Sequence, residues 1–407
     1  MDVLERPAFR KQKLVYLSID KKGLFSMKIL FFQWHSFMNQ GIEHALKRQG
    51  IDYDTFFYQF SDWEKDDTFL QLFSKRLKDK EYRCILSVNF SPLISNVCEE
   101  RNIPYIAWVY DAPLHIRNLS SINNSCTNVY FFDRGQAEEL KKNGMNARYM
   151  PLAVDTEVFW PAADSITKED YAADVSLVGK LYQTEYQYYK IHLNEYLQGY
   201  LEGIIGAQMK IYGGYLIPEL ITQDLLNQMN TDYKKTFLDG FQMGKRELEY
   251  LLACEVTGRE RYLVLQLLSE HYKVALYSTE EDDRLVNVQQ KGYADYYTQM
   301  PAVFSKSKVN LNISLKTIRT GIPLRIVDIM GCGGFVISNY QEELVEYFVP
   351  GEECVVYENL EDLFEKVQFY LEHDAERQRI VHNSFEKVKR DFTFDQRLKK
   401  MLCEYVV

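Results

Sequence analysis

The chain has 407 residues, enough for two domains with separate cores, and its 46% hydrophobic and 26% charged residues are typical of a globular protein. The net charge of −10 argues against a nucleic-acid partner, because such proteins usually carry a basic surface. No stretch approaches the roughly 18 uninterrupted apolar residues of a membrane span.

The seven cysteines are scattered, odd in number and never spaced as C-x-x-C. This pattern predicts reduced thiols and argues against a disulfide frame or a zinc site. Residues 1–27 form an N-terminal extension that is charged throughout and lacks the apolar core of a signal peptide. We therefore expect a cytoplasmic protein.

A first run of alternating elements fills residues 28–155. The apolar strand "MKILFFQW" is followed by the amphipathic helix "SFMNQGIEHALKRQG", and the strands "YDTFFYQF", "CILSVNF", "YIAWVYD" and "TNVYFFD" continue the series. Short apolar strands that alternate with helices indicate parallel pairing through right-handed crossovers. The run predicts a Rossmann-like domain.

A second run begins after residues 156–173, which break the rhythm with charged clusters and a proline and are predicted to be a linker. The strand "ADVSLVGKLY" opens a domain over 174–385, a helical insertion follows at about 185–270, and the strands "KVALYST", "KVNLNIS", "GFVISN" and "CVVYEN" resume the series. Residues 386–407 are predicted to be helical. The sequence thus predicts an α/β protein with two Rossmann-like domains facing across a cleft, where a ligand is expected.

The usual cofactor motifs are missing. In "GCGGFV" the third glycine of a dinucleotide-binding loop is replaced by Val336, no Walker A loop occurs, and no paired-histidine motif for zinc is present. The sequence "DYD" at 52–54 stands at the start of a strand, where solvated carboxylates are ordinary. We expect no obligatory cofactor and no metal.

The stretch "TIRTGIPLRIVDIMGCGGFVIS" predicts a short helix between two strands. Pro323 suits the first turn and Gly331 the C-terminal cap. The helix N-terminus is a candidate seat for phosphate, and Asp328 is a candidate acceptor for both hydroxyls of a ribose. The alternative is that the proline and the glycines only mark the two ends of the helix, and that Arg325 and Asp328 form a local ion pair.

The C-terminal half resembles a known family. It is similar to spore-maturation (CgeB-type) glycosyltransferases over "SKVNLNIS", the stretch above with "NYQEELVEYF", "GEECVVYENLEDLFEKVQFYL" and "DAERQRIVHNSFEKVKRDFTFDQRL". Two shorter segments, "WVYDAP" and "YMPLAVDTEVFWP", resemble the same family earlier in the chain. These are two-domain, GT-B-like sugar transferases of bacterial glycosylation. The resemblance implies a nucleotide-sugar donor on 174–182 and 310–334, and a last helix that crosses back to the first domain.

The resemblance also assigns residues. Relatives carry an acid five residues before a small-residue turn, which makes Asp328, five before Gly333, the ribose-binding acid. Many relatives have a second carboxylate near the position of Thr320, and this chain has none. The group that contacts the transferred sugar, and the stereochemical outcome, stay open. Gly321 and Leu324 complete the predicted donor segment.

Other donor-site candidates follow from position. Lys180, beside Gly179, is placed to neutralise diphosphate charge, although a surface lysine after a strand is the equal alternative. Tyr293 is a candidate to stack on the base or to pack beneath it. Asn312 ends a strand that points toward the site. Arg319 and Arg325 are further phosphate candidates.

The acceptor side needs a general base if the reaction inverts configuration. Asp111 ends a central strand of the first domain in apolar surroundings, which raise the pKa of a carboxylate toward neutrality. The alternative is a turn-forming aspartate. His35 and His115 are further candidates, although a lone histidine is more often structural.

Together these features predict a metal-independent glycosyltransferase of the hexosyl- or N-acetylhexosaminyltransferase type. The donor is expected to be a UDP-sugar and the acceptor a protein or a glycan. A non-catalytic nucleotide-sugar-binding or scaffold subunit is the alternative, and an isomerase of a nucleotide sugar is a third reading. The insertion is a candidate surface for a partner or for a second copy of the chain.

Overall fold

The computed structural model describes residues 28–164, 168–237 and 240–403, and these ranges form two parallel β-sheets of six strands each. The predicted extension 1–27 lies outside the described residues. Apolar cores lie on both faces of each sheet, so the predicted α/β class with two Rossmann-like domains is confirmed.

The first sheet has the strand order β2-β1-β3-β4-β5-β6, with every neighbouring pair parallel. Strand β4 is buried at every position, as a central strand with helices on both sides requires. The strands are β1 Lys28–Gln33, β2 Asp52–Phe57, β3 Cys84–Val88, β4 Tyr105–Val109, β5 Thr127–Phe131 and β6 Ala147–Tyr149; the helices are α1 Asn39–Arg48, α2 Asp67–Asp79, α3 Pro92–Arg101 and α4 Arg134–Lys142, with a 3₁₀ turn at Ser120–Asn123.

Side-chain caps fix where three of these helices begin. Asp66 accepts a hydrogen bond from the N–H of Phe69 at 2.9 Å at the start of α2, and Ser91 precedes Pro92 at the start of α3. Asp133 caps α4 in the same way. Such caps satisfy first-turn donors that the helix itself leaves unpaired.

The second sheet has the order β12-β11-β10-β7-β8-β9, again all parallel. The order reverses between β10 and β7, and the carboxyl ends at such a reversal are the usual ligand site of this fold. The strands are β7 Val175–Val178, β8 Val274–Tyr277, β9 Gln289–Gln290, β10 Val309–Asn312, β11 Val336–Asn339 and β12 Val355–Tyr357; the helices after β9 are α12 Met300–Lys306, α13 Leu324–Gly331, α14 Glu342–Tyr347, α15 Leu360–Glu372 and α16 Asp374–Asp391.

Between β7 and β8 the chain forms a helical insertion with its own core. Its last helix, α11, is long because one part closes the core of the insertion through Leu252 while another, around Val264 and Leu268, packs in the core of the second domain. The insertion consists of α7 Tyr186–Lys190, α8 Glu195–Met209, α9 Ile217–Leu220, α10 Gln223–Thr236 and α11 Lys245–Ser269.

Two segments connect the domains, the predicted linker and the C-terminal helix. The predicted linker is mostly helical, with α5 Thr156–Asp164 and α6 Lys168–Tyr171, and Phe159 of α5 packs in the core of the second domain. The final helix, α17 Phe394–Cys403, packs on the first domain. A Cβ on Gly41 would come within 2.3 Å of the Phe394 ring, so this helix lies directly on α1.

Candidate functional site

The helix that stood out in the sequence is α13, at the carboxyl end of β10. Pro323 precedes its first turn, and Gly333 follows its last turn with a φ of 69°. This left-handed conformation favours glycine, so the glycine that caps the helix is Gly333, beyond the last helical residue Gly331, which was the predicted cap. Gly331 is needed for close packing, because a Cβ there would lie 2.5 Å from Val154.

Asp328 of α13 is only 1% exposed. Its Oδ1 accepts a hydrogen bond from the hydroxyl of Tyr296 at 2.9 Å, whereas its Oδ2 is buried and accepts none. A buried carboxylate oxygen without a donor is costly, and such an atom commonly marks a place where a ligand supplies one. Burial raises the pKa of Asp328 to about 7, against the opposing effects of Arg325 and Tyr296.

The local ion pair proposed as the alternative is weak. Arg325 Nη1 is 4.0 Å from Asp328 Oδ2, too far for a hydrogen bond. The guanidinium instead approaches Met300 Sδ at 2.9 Å and lies over the ring of Phe304, 5.4 Å from its centre. Arg325 therefore adds positive potential near Asp328 without satisfying its free oxygen.

The turn after β7 lies where the strand order reverses. Gly179 has a φ of 151°, and Lys180 beside it is exposed. The buried Arg261 of α11 donates to the carbonyl oxygens of Lys180 and Ile313, which follow β7 and β10. A Cβ on Gly258, one turn earlier in α11, would lie 2.8 Å from the carbonyl oxygen of Leu181. The long helix of the insertion therefore fixes the shape of this turn.

Three other predicted donor residues have different surroundings. Asn312 is buried, and its amide donates to the hydroxyls of Ser314 at 3.0 Å and Ser338 at 2.9 Å. Tyr293 is 58% exposed. The tyrosine that donates a hydrogen bond to Asp328 is Tyr296, three residues later. Leu324 is half-buried and packs against the cores of both domains.

Arg319 and Gly321 lie on a contact between the two domains. The buried carboxylate of Asp133 accepts from the N–H of Arg319 at 2.6 Å, and a Cβ on Gly321 would lie 2.8 Å from Asp133 Cα. The hydroxyl of Thr320 donates to the buried Glu343 at 2.7 Å. Thr320 Oγ1 also accepts from the N–H of Gly135 in the first domain at 2.8 Å. The position where the resemblance places a second carboxylate therefore makes a domain contact in this chain.

Asp111 follows β4 on the opposite side of the cleft. Asn89, which follows β3, donates to Asp111 Oδ2 at 2.6 Å and accepts from the N–H of Tyr110 at 3.0 Å. Burial raises the pKa of Asp111, while Asn89 and His115 oppose the shift. The carboxylate is thus held in one orientation and disposed to take up a proton.

The two candidate histidines lie apart. His35 is exposed, with its ring 5.1 Å from that of Phe57. His115 lines an interdomain cavity of about 520 Å³ and contacts Tyr250 of α11 edge to face, with ring centres 4.9 Å apart. Arg319 lines the same cavity and pairs with Glu139 at 2.8 Å.

The sequence analysis missed Asn89, Tyr296, Arg261 and Tyr250. Asn89 was within reach, since it follows a buried strand in the way that pointed to Asp111. The other three had no local signal, because their partners are distant in the chain. Among residues 28–164, 168–237 and 240–403, no group of three His, Cys, Asp or Glu side chains is arranged to hold a metal ion, and no helix is long and apolar enough to cross a membrane.

Solved structures with the same two-domain arrangement span nearly the whole chain. Sucrose-phosphate synthase from Thermosynechococcus elongatus is 12% identical with a TM-score of 0.55, and the match covers 93% of this chain and 98% of that one. The fold is GT-B-like. The Anabaena protein HepE, in complex with UDP and glucose, is 11% identical with a TM-score of 0.51 over 93% of this chain and 100% of that one. A glycosyltransferase from Rickettsia africae is 11% identical with a TM-score of 0.54, covering 93% and 97%.

Matches in sequence are confined to part of this GT-B-like chain. Residues 259–403 match the glycosyl transferase-like family, and this range includes α13 and both strands beside it. An uncharacterized protein of Aquifex aeolicus is 28% identical over 104 residues, which are 25% of this chain and 26% of that protein. Residues 259–403 are thus similar to a glycosyl transferase-like family, within a chain that has a GT-B-like fold.

Proposed function

We propose that this protein is a glycosyltransferase of the spore-maturation (CgeB-type) group, which moves a hexosyl or N-acetylhexosaminyl unit from a nucleotide-diphosphate donor to an acceptor hydroxyl. The observation that carries the proposal is the free oxygen of Asp328, buried on α13, the helix that follows β10 in the chain. A ribose hydroxyl is a donor of the right kind to satisfy it. We further propose that the reaction needs no metal and takes place in the cytoplasm.

The donor side is proposed to hold the nucleotide as follows. Asp328 accepts from the ribose, while the N-terminus of α13 and Arg325 offer positive potential to the diphosphate. Lys180 adds a mobile ammonium group on the exposed turn after β7. UDP is the first nucleotide to test, because the structurally similar HepE was solved with UDP and with UDP-glucose.

The chemical step is proposed to use Asp111 as the base. Its carboxylate takes the proton of the acceptor hydroxyl, the hydroxyl oxygen bonds to the anomeric carbon, and the bond from that carbon to the diphosphate breaks. The nucleoside diphosphate leaves with the electron pair, stabilised by the cations named above. Asn89 holds Asp111 Oδ2 at 2.6 Å and leaves Oδ1 for the acceptor.

A non-catalytic nucleotide-sugar-binding or scaffold subunit is the second candidate. It is favoured by Thr320, which stands where many relatives have a carboxylate and is engaged with Glu343 at 2.7 Å. In that case the cleft would bind a nucleotide sugar without breaking it down.

Release of UDP from UDP-glucose separates the two candidates, measured on the wild type, on Asp111→Asn and on Asp283→Asn, which changes an exposed aspartate. In an enzyme, Asp111→Asn lowers the rate of UDP release by about 100- to 10,000-fold, the range for loss of a general base, and leaves UDP affinity unchanged. Equal rates in the wild type and in Asp111→Asn would contradict the assigned base. Binding without release by the wild type would favour the scaffold.

A further inference from the structure

The interdomain cavity of about 520 Å³ is formed by three parts of the chain that are far apart in sequence. One wall is the loop after β4 together with α4, a second is the start of α11 in the helical insertion, and the third is the loop before α13. We propose that this cavity binds the acceptor, that the acceptor is a saccharide, and that the insertion selects it. The inference rests on the proposed transferase function and names its second substrate.

The insertion is attached firmly to the first domain at this cavity. Arg246, in the first turn of α11, donates to the carbonyl oxygens of Ile116 at 2.9 Å and Arg117 at 3.2 Å. One turn later, the ring of Tyr250 meets that of His115. Contacts at both positions therefore fix the wall that α11 provides. The cavity is thus a defined feature of the domain interface.

The lining suits a saccharide. Hydrogen-bonding groups of Gln136, Glu249 and Tyr250 face a surface that also contains the apolar side chains of Leu140 and Met145. Sugars need both, because their hydroxyl groups bind to carboxylates and amides while their C–H faces pack on apolar and aromatic surface. The volume lies within the roughly 300–1,000 Å³ of ordinary small-molecule sites.

Charge in the cavity is balanced, which disfavours an anionic or a cationic acceptor. Arg319 pairs with Glu139 at 2.8 Å, and Arg246 is engaged with backbone carbonyls. Glu249 is half-buried, and burial raises its pKa. A neutral ligand with many hydroxyls can use these groups without leaving a charge unpaired.

The cavity adjoins the proposed base. The chain passes from Asp111 directly into the cavity wall at Pro113, and Thr317 of the third wall donates to the carbonyl oxygen of Ala112 at 2.5 Å. The wall of the cavity therefore begins two residues after Asp111. This continuity favours the cavity as the acceptor site over the one of about 430 Å³ at the amino ends of the second sheet, which is lined by Lys273 and Lys308.

The test uses the full chain with UDP-glucose as donor. The acceptor panel consists of short oligosaccharides of glucose, galactose and N-acetylglucosamine, beside a peptide library rich in Ser, Thr and Asn. The variants are Glu249→Gln, which keeps the shape of the side chain, and Tyr250→Ala. Matched controls are Glu270→Gln, at an exposed position just after α11, and Tyr196→Ala, whose ring is 69% exposed elsewhere on the insertion.

We expect transfer to at least one saccharide, with the acceptor KM raised about tenfold or more in both variants, the change that loss of about 1.4 kcal/mol of binding gives. The dissociation constant for UDP and the control variants stay at wild-type values. Transfer to peptides alone, donor breakdown without transfer to any saccharide, or an unchanged KM in both variants would overturn the inference. A wild type that neither binds UDP nor releases it from UDP-glucose would instead refute the proposed function.

Discussion

The two sides of the cleft differ in how the chain builds them. The proposed donor side is formed mainly by short continuous pieces, a strand and turn near Gly179 and the strand-loop-helix unit that ends at Gly333. The proposed acceptor side joins residues more than a hundred positions apart, such as Ile116 and Arg246. The difference teaches that candidate residues on contiguous segments can be named from local sequence, whereas a cavity between distant segments depends on how those segments pack.

A second difference concerns two aspartates, the buried Asp328 and the half-buried Asp111. Asp111 is held by a neighbouring amide, and its surroundings suit a proton transfer. Asp328 has one oxygen paired with Tyr296 and the other without a donor. Asp111 is thus oriented by a donor within the protein, whereas Asp328 has an oxygen that the proposed function pairs with a ribose hydroxyl.

The largest effect on stability is expected where the insertion holds the donor side. Arg261→Met removes the donor to two carbonyl oxygens, those of Lys180 and Ile313, and leaves both without a partner. At about 1–3 kcal/mol for each unsatisfied group, the free energy of unfolding should fall by about 2–6 kcal/mol in urea denaturation, and UDP affinity should fall with it.

The matched control lies two residues earlier on the same helix. Arg259→Met removes part-exposed ion pairs with Glu202 and Glu255, whose loss should lower the free energy of unfolding by about 1 kcal/mol or less. Equal losses of unfolding free energy in the two variants would show that Arg261 contributes no more than a part-exposed ion pair. The insertion would then not shape the turn after β7.

A smaller effect should appear as a pH dependence at Asp328. Burial raises the pKa of this group to about 7, so between about pH 4 and pH 7 the folded protein holds a proton that the unfolded chain has released. Stability should fall as the pH rises through that window. The side chain in Asp328→Asn cannot ionise. As the pH rises, the free energy of unfolding of this variant should therefore increase relative to that of the wild type by about 1.4 kcal/mol per pH unit.

Denaturation of both proteins at pH 5, 6 and 7 measures this difference directly. A constant difference across the three values would mean that Asp328 is ionised throughout. Its free oxygen would then already have a donor, and the contrast with Asp111 would disappear.

Much of the fold was readable in the sequence, because the apolar runs of the two series are buried strands in parallel sheets. "YIAWV" is a fully buried strand, and the insertion lies where the strand rhythm stops. Short or polar elements were not predicted. An example is the two-residue strand Gln289–Gln290, which has no apolar pattern. The linker was predicted from its charges, yet Phe159 within it is buried and draws the segment into a helix.

The candidate site was readable only in part. Asp328 and Asp111 were singled out because each occupies an expected place relative to a strand or a helix end, and their roles stay predictions. The role of Tyr293 in stacking on the base or packing beneath it stays a prediction. Tyr296, which donates to Asp328 at 2.9 Å, was not considered, because the sequence cannot tell which of several neighbouring tyrosines turns inward. Arg319 was predicted as a phosphate candidate, and its guanidinium pairs with Glu139 at 2.8 Å across the domain contact.

The most direct test of the central claim is a calorimetric titration of UDP at pH 8 into the wild type, Asp328→Asn and the control Asp283→Asn. At that pH Asp328 is ionised and can accept from the ribose. The account predicts that the wild type and the control bind equally and that Asp328→Asn binds about 10- to 100-fold more weakly, the loss of a hydrogen bond to a charged group. Equal binding by all three proteins, or no binding by the wild type, would contradict it.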